Sequence, residues 1–129
     1  MDNIKVGQKG TQETTVTADK TARHLGSGGI DVFATPAMVA LMEGAAMNAI
    51  DPHLPDGQSS VGININIQHL AATPLGKHVR AEAEVTAIDR RKVMFTVKAW
   101  DEHELIGEGE HTRFVIDLDR YIERLNQKL

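Results

Sequence analysis

The hydrophobic and polar positions of this 129-residue chain follow two different patterns, separated by a turn at residues 51–57. Residues 36–50 are rich in Ala, Met and Leu, and their apolar positions lie on all sides of a predicted helix. Thr35 before Pro36 predicts an N-cap followed by proline at the first helical position. Two prolines and Gly57 in the turn end the helix. A helix that is apolar on most sides is typical of a buried central helix.

After this turn, apolar and polar residues alternate with the period of β-strands. The predicted strands are residues 61–69, 80–88, 92–100 and 105–116, with a weaker one near residues 13–18. Their apolar faces hold Val61, Ile63, Ile65, Ile67 and His69 in the first strand, Ala81, Ala83, Val85 and Ala87 in the second, and Val93, Phe95, Val97 and Ala99 in the third. Gly107 and Gly109 indicate a bulge or a close approach of backbones in the last strand. Residues 119–129 are a predicted terminal helix.

The order of these elements predicts an α+β fold in which an antiparallel sheet of about five strands wraps around one long central helix, with a short C-terminal helix. Short polar connections between the later strands indicate antiparallel neighbours. The length favours a single domain over residues 1–129. One such subunit would cover only one side of the layer, so we expect a homodimer, with a dimer of dimers as an alternative.

The net charge and the cysteine count limit the classes of partner and the cellular location that we expect. A net charge of -4 and a pI near 5.8 argue against a nucleic-acid partner. Arg90, Arg91 and Lys92 form a basic run that predicts a turn, with a single anionic ligand as the alternative. Cysteine is absent, which fits a reducing cytosol, and no stretch has the length of a membrane span. We therefore expect a cytoplasmic protein with no membrane partner.

Two ionisable residues are expected to meet in the interior. Glu43 interrupts the apolar helix, and His69 lies on the apolar face of a strand. A carboxylate removed from water is costly unless it has a partner, and His69 could be that partner. The alternative is that Glu43 reaches a rim and His69 only ends its strand. A buried carboxylate in this setting favours a functional site.

Thr35 has two compatible interpretations. It can cap the helix, and the same helix end can present backbone N–H groups to a developing oxyanion. Thr35 and Glu43 lie about 12 Å apart along a helix that rises 1.5 Å per residue. If both serve one reaction, either the substrate spans this gap or two subunits contribute different members.

Other motifs are absent or weak. His103 lies in an acidic turn without the spaced ligands of a zinc site, so no metal is expected. His111 could face the site through its strand, although a core or surface role is the simpler interpretation. The chain has neither a G-x-S-x-G elbow nor a P-loop. Met38, Met42 and Met47 are interpreted as packing residues.

The stretch VFATPAMVALMEGAA, followed by GININIQHLAATPLG and a late HTRFVI, resembles the hot-dog-fold thioesterases related to fluoroacetyl-CoA thioesterase. The resemblance covers roughly Ile30 to Asp117. It implies one long helix wrapped by an antiparallel sheet, and a dimer with active sites at the interface. It also implies an acyl-CoA substrate, with coenzyme A as part of that substrate and no separate cofactor.

The resemblance implies roles for five residues. Thr35, Glu43 and His69 correspond to a catalytic set, Gly62 to a glycine on the substrate side, and Arg113 to an arginine near the active site or the acyl-CoA. The chain departs from the family at residues 24–31, which are glycine-rich where an enzyme selecting a fluorinated acyl group would place an aromatic lid.

Three alternatives to an acyl-CoA thioesterase stay open at this point. One is a non-catalytic acyl-CoA-binding module, and a second is an enoyl-CoA hydratase, although no dedicated Asp and His motif supports it. The third is a structural dimer in which Glu43 only fixes the register of the subunits.

Overall fold

An antiparallel sheet curls around one long helix in the computed structural model, which describes residues 1–129. The strands are β1 (Lys9–Thr15), β2 (Gln58–His69), β3 (His78–Asp89), β4 (Lys92–Trp100) and β5 (Leu105–Asp117). The helices are α1 (Ala22–Leu25), α2 (Thr35–Ile50) and α3 (Leu118–Asn126), with short 3-10 turns at Ala18–Lys20 and Asp51–His53. The predicted architecture is confirmed.

The strand order in the sheet is β1-β3-β4-β5-β2. The short polar turns join β3 to β4 and β4 to β5 as antiparallel neighbours, as predicted. Strand β2 instead crosses to the far edge, where Gln58 lies opposite Asp117 and His69 lies opposite Gly107. The outer edge of β2 therefore faces no strand of this chain.

Helix α2 begins one residue earlier than predicted. Ala34 is its N-cap and Thr35 its first helical residue, so the predicted Thr35 cap is wrong. The first intrahelical hydrogen bond runs from the N–H of Met38 to the carbonyl of Ala34 at 3.0 Å. With helical backbone angles, Thr35 is free to direct its hydroxyl outward.

No helix of the chain is both long and apolar enough to cross a membrane.

The core lies between one side of α2 and the concave face of the sheet. Twenty buried apolar residues form one cluster, to which α2 contributes Met38, Leu41, Met42, Ala45, Ala46, Ala49 and Ile50. Met38 and Met42 are packing residues, as predicted, whereas Met47 is 41% exposed. The opposite side of α2 is only partly covered within one chain, as expected if one subunit covers one side of the layer.

Glycines allow the helix to approach the sheet closely. A Cβ at Gly10 of β1 would collide with the backbone of α2 at Ala45 and Ala49. A Cβ at Gly107 would lie 2.6 Å from the Met38 sulfur. The close approach predicted for Gly107 is confirmed.

Three strand predictions need correction. Strand β1 covers Lys9–Thr15 rather than residues 13–18. The prediction placed it too late because the strand is polar and is held by backbone pairing with β3. Ala87 is exposed because the register of β3 shifts between Val85 and Ala87. The apolar face of β2 is only partly covered, with Ile63 51% and Ile65 37% exposed at the sheet edge.

Candidate active site

Thr35 and His69 are in direct contact. Thr35 Oγ1 lies 2.7 Å from Nδ1 of His69, which joins the first turn of α2 to the last residue of β2. A hydroxyl within hydrogen-bond distance of an imidazole has the geometry of a nucleophile and its base. The sequence pattern predicted other roles for these residues. It predicted that Thr35 caps the helix and that His69 pairs with Glu43.

The environment of His69 favours its neutral form. Burial lowers the pKa of His69 below the usual histidine value of 6.5, and only a backbone hydrogen bond at Ala71 opposes this. A neutral ring can accept the proton of the Thr35 hydroxyl at Nδ1. The other ring nitrogen, Nε2, is buried and has no hydrogen-bond partner within the chain.

Glu43 lies in a second, separate cluster. Its side chain is 39% exposed, and its Oε2 lies 3.9 Å from Nη1 of Arg113. Glu43 borders a recess of about 170 Å³ that is also lined by Gly62, Ile63 and His111. No hydrogen bond or ion pair joins Glu43 to His69 in this chain, so the partner of the carboxylate is Arg113.

Gly62 makes room for this carboxylate. A Cβ at Gly62 would lie 2.6 Å from Oε2 of Glu43 and 3.1 Å from Cε1 of His111. The register of β2 against β5 also shifts between Gly62 and Asn64. A bulge of this kind disrupts the strand ladder and redirects side chains near a site. Gly62 thus forms the floor of the recess beside Glu43.

Arg113 is held from several sides by a buried network. Its Nε donates to Oγ of Ser60 at 2.8 Å, and its Nη2 donates to the carbonyl of Ser60 at 2.9 Å. Ser60 in turn donates to the carboxylate of Asp51. Burial lowers the pKa of Arg113, while the charges of Asp51 and Glu43 oppose that effect. Only 7% of the Arg113 side chain is exposed, so the network fixes its guanidinium against Glu43.

His111 completes this network, and sequence reasoning gave it only a minor place. Its Nδ1 donates to the carbonyl of Asn64 at 2.7 Å, so Nε2 is free to accept from Nη1 of Arg113 at 3.3 Å. Burial lowers the pKa of His111, and its ring stacks on Phe95. His111 and Arg113 are two residues apart on one strand, so their side chains lie on the same face of the sheet. This spacing was the sequence signal for His111.

The glycine-rich segment 24–31 is exposed; His24 and Leu25 are the last residues of α1, and residues 26–31 form a loop after it. Gly26 ends α1 with a φ of 76° in the left-handed region. The ends of the loop are joined by an ion pair of 3.1 Å between Arg23 and Asp31. The loop carries no aromatic side chain.

Known structures define the class of protein. A hot-dog-like protein from Thermanaerovibrio acidaminovorans matches with a TM-score of 0.89 over 99% of this chain and 95% of its own, at 24% identity, and shares the fold. A solved structure of a fluoroacetyl-CoA thioesterase matches with a TM-score of 0.90 and 37% identity over 98% of each chain. The fold and its likeness to this thioesterase define a thioester hydrolase with the hot-dog fold.

The sequence narrows this class further. The model of the fluoroacetyl-CoA-specific thioesterase family matches residues 16–119. A fluoroacetyl-CoA thioesterase from Streptantibioticus cattleyicolor is 38% identical over 133 aligned positions, which cover 98% of this chain and 96% of that protein. The chain belongs to the fluoroacetyl-CoA-specific thioesterase family.

Proposed function

We propose that the protein hydrolyses small or medium acyl-CoA thioesters at a site formed by two subunits. The observation that carries this proposal is the division of the site residues into two clusters, Thr35 with His69 and Glu43 with Gly62 and Arg113. Membership of a family named for the hydrolysis of a CoA thioester supports the substrate class. A cytoplasmic location stays a prediction.

The reaction forms a bond between the acyl carbon and an oxygen and breaks the bond between that carbon and sulfur. Glu43 acts as the base that removes a proton from water, or as the nucleophile itself. In the first case the proton taken by Glu43 passes to the departing CoA thiolate. In the second case the acyl group forms an anhydride with Glu43 as the CoA thiolate leaves, and water then cleaves the anhydride, which restores Glu43 and releases a proton that the thiolate takes up. His69 and the Thr35 hydroxyl orient the reacting groups, and neutral His69 can accept the Thr35 proton.

Backbone N–H groups supply the electrophilic part of the site. The N–H groups that precede the Met38 hydrogen bond in α2 have no acceptor within the helix. They are aligned with the positive end of the helix dipole, which stabilises negative charge on the thioester oxygen. Gly62, without a side chain, admits the substrate next to Glu43.

The exposed edge of β2 supports a dimer. A strand of 12 residues with an open edge and exposed Ile63 and Ile65 is suited to pairing with another strand. A two-fold axis between Ile65 and Asn66 would pair two β2 strands antiparallel. Gly62 of one subunit would then lie opposite His69 of the other, which brings the two clusters together. The association of two such dimers into a dimer of dimers stays a separate prediction.

Thiol release from a panel of acyl-CoA esters tests this function. Purified protein is incubated with short, medium and aryl acyl-CoA esters, and free thiol is measured. We expect Glu43→Gln to reduce kcat by orders of magnitude, while Glu110→Gln, which removes an exposed carboxylate elsewhere, keeps wild-type turnover. Near-normal turnover by Glu43→Gln would exclude the mechanism. Tight binding of the esters without thiol release would instead indicate an acyl-CoA-binding protein.

A further inference from the structure

A second and larger cavity lies on the outer face of the sheet, between α3 and the adjoining ends of β2 and β5. We call it the α3 groove, and its volume is about 520 Å³. Its apolar lining includes Val61, Phe114 and Ile116, and its polar lining includes three arginines, Arg91, Arg120 and Arg124. The groove therefore combines an apolar floor with a positively charged rim.

Most of the positive charge of the α3 groove is not neutralised within the chain. Asp117 also lines the groove, forms an ion pair of 3.3 Å with Arg91 and has its pKa lowered in part by the charge of Arg120. Arg120 and Arg124 form no ion pair, so the positive charge of the lining exceeds the negative charge. Arg120 and Arg124 are four residues apart and share one side of α3. In a chain with a net charge of -4, this is a local site for an anion.

The α3 groove is continuous with the candidate active site. Gly62 and Ile63 line both the groove and the recess that holds Glu43. A ligand that reaches from the carboxylate to the arginines would cross the β2 bulge at these two residues. The bulge lies at this crossing, where it interrupts the ladder between β2 and β5.

We propose that the α3 groove binds the nucleotide of CoA, with Arg120 and Arg124 as the residues that contact its phosphates. This inference rests on the proposed function. An acyl-CoA has a thioester at one end and phosphates at the other, joined by a narrow pantetheine arm. The arrangement of recess, glycine crossing and arginine groove matches that order. Guanidinium groups bind phosphate oxygens in a bidentate manner, and Tyr121 offers an aromatic face for adenine.

The lining of the α3 groove also separates the basic residues that were considered as phosphate contacts from the sequence. Arg113 is buried against Ser60 and His111, so it does not serve as a phosphate contact. Of the basic run 90–92, only Arg91 lines the groove. The helix arginines had no motif that could have identified them, because the groove exists only once α3 folds against the sheet.

The test compares a substrate that carries phosphates with one that does not. The double variant Arg120→Gln, Arg124→Gln is assayed with an acyl-CoA and with the corresponding acyl-pantetheine thioester. We expect KM for the acyl-CoA to rise about tenfold or more, with kcat little changed. We expect kcat/KM for acyl-pantetheine to stay at the wild-type value. Both side chains are solvent-accessible on a helix without buried residues, so folding is expected to be preserved.

A charge-matched control is Lys77→Gln, Lys98→Gln, which removes two exposed cations outside the groove. Its KM for acyl-CoA should equal that of the wild type. Unchanged kinetics of the arginine variant, or equal losses on both substrates, would overturn the groove assignment and leave the thioesterase intact. If the wild type released no thiol, the binding of CoA would be measured by calorimetric titration. CoA affinity that is present in the wild type and lost in the arginine variant would support the groove assignment. CoA affinity that is equal in both proteins, or absent from the wild type, would overturn it.

Discussion

At the residue scale, the carboxylate in the apolar helix is explained by its neighbours on the sheet. Glu43 keeps partial contact with solvent and lies against the fixed guanidinium of Arg113. Arg113 is in turn oriented by Ser60 and His111, so the carboxylate faces a positive charge that cannot move away. This environment suits a base or nucleophile that must be correctly aimed at its substrate.

Gly62→Ala should damage turnover more than stability. The new Cβ would displace the end of the Glu43 side chain, and a misplacement of about 1 Å can reduce the rate about 100-fold. Because Glu43 is half-exposed, its side chain can move without unfolding the protein. Gly29→Ala is the control, since no atom lies within 4 Å of a Cβ there. Measured kcat equal in both variants would contradict the role given to Gly62.

His69 should titrate below the usual histidine range. Burial lowers its pKa from 6.5, so the ring stays neutral at neutral pH and becomes protonated only at lower pH. An NMR titration of its Cε1 proton, assigned by its loss in His69→Gln, should give a midpoint below 6.5. A midpoint at or above 6.5 would contradict the lowered pKa of His69. A midpoint well above 7 would leave a cationic ring beside Thr35 at neutral pH, and His69 could not accept the Thr35 proton.

The sequence predicted a set of candidate site residues but not the contacts between them. Glu43 and His69 stood out because each interrupts an apolar pattern, and Thr35 because it precedes Pro36 at the helix start. The resemblance supplied Gly62 and Arg113. The contacts depend on the pairing of β2 with β5, which no local pattern encodes. The Thr35 contact with His69 and the Arg113 contact with Glu43 follow from that pairing.

At the element scale, the position of α2 depends on a polar strand with little sequence signal. β1 contacts the helix where Gly10 lies against the backbone of Ala45 and Ala49. Alternation predicted β3 and β4 well, because both bury one complete face. It failed for the N-terminal strand, which has no apolar face, and at Ala87, where a bulge reverses the alternation.

Gly10→Ala should destabilise the fold. The new methyl group would meet helix backbone rather than a flexible side chain, so strand or helix must shift. Overpacking of this kind costs about 2 to 3 kcal/mol. Chemical denaturation should show this loss in the free energy of unfolding, whereas Gly29→Ala should stay within about 0.5 kcal/mol of the wild type. Equal stabilities would contradict the close approach of β1 and α2.

At the scale of the whole molecule, the predicted site residues of one chain form two separate clusters. Strand β2 carries Gly62 near one end and His69 at the other, and its outer edge is open. The partly covered side of α2 and the exposed apolar residues of β2 are the surfaces that a second copy would cover. The sequence predicted a dimer because one sheet could not enclose the helix, but it did not predict which strand would pair.

Subunit complementation tests the two-subunit site most directly. Differently tagged Thr35→Ala and Glu43→Gln chains are co-expressed, and the mixed dimer is isolated through both tags. Each variant alone should be inactive, but the mixed dimer contains one site with both native residues and should show about half the wild-type kcat. A mixed dimer of Thr35→Ala with His69→Ala should stay inactive, because both residues come from the same chain. A Thr35→Ala, Glu43→Gln dimer as inactive as its parents would contradict the two-subunit site.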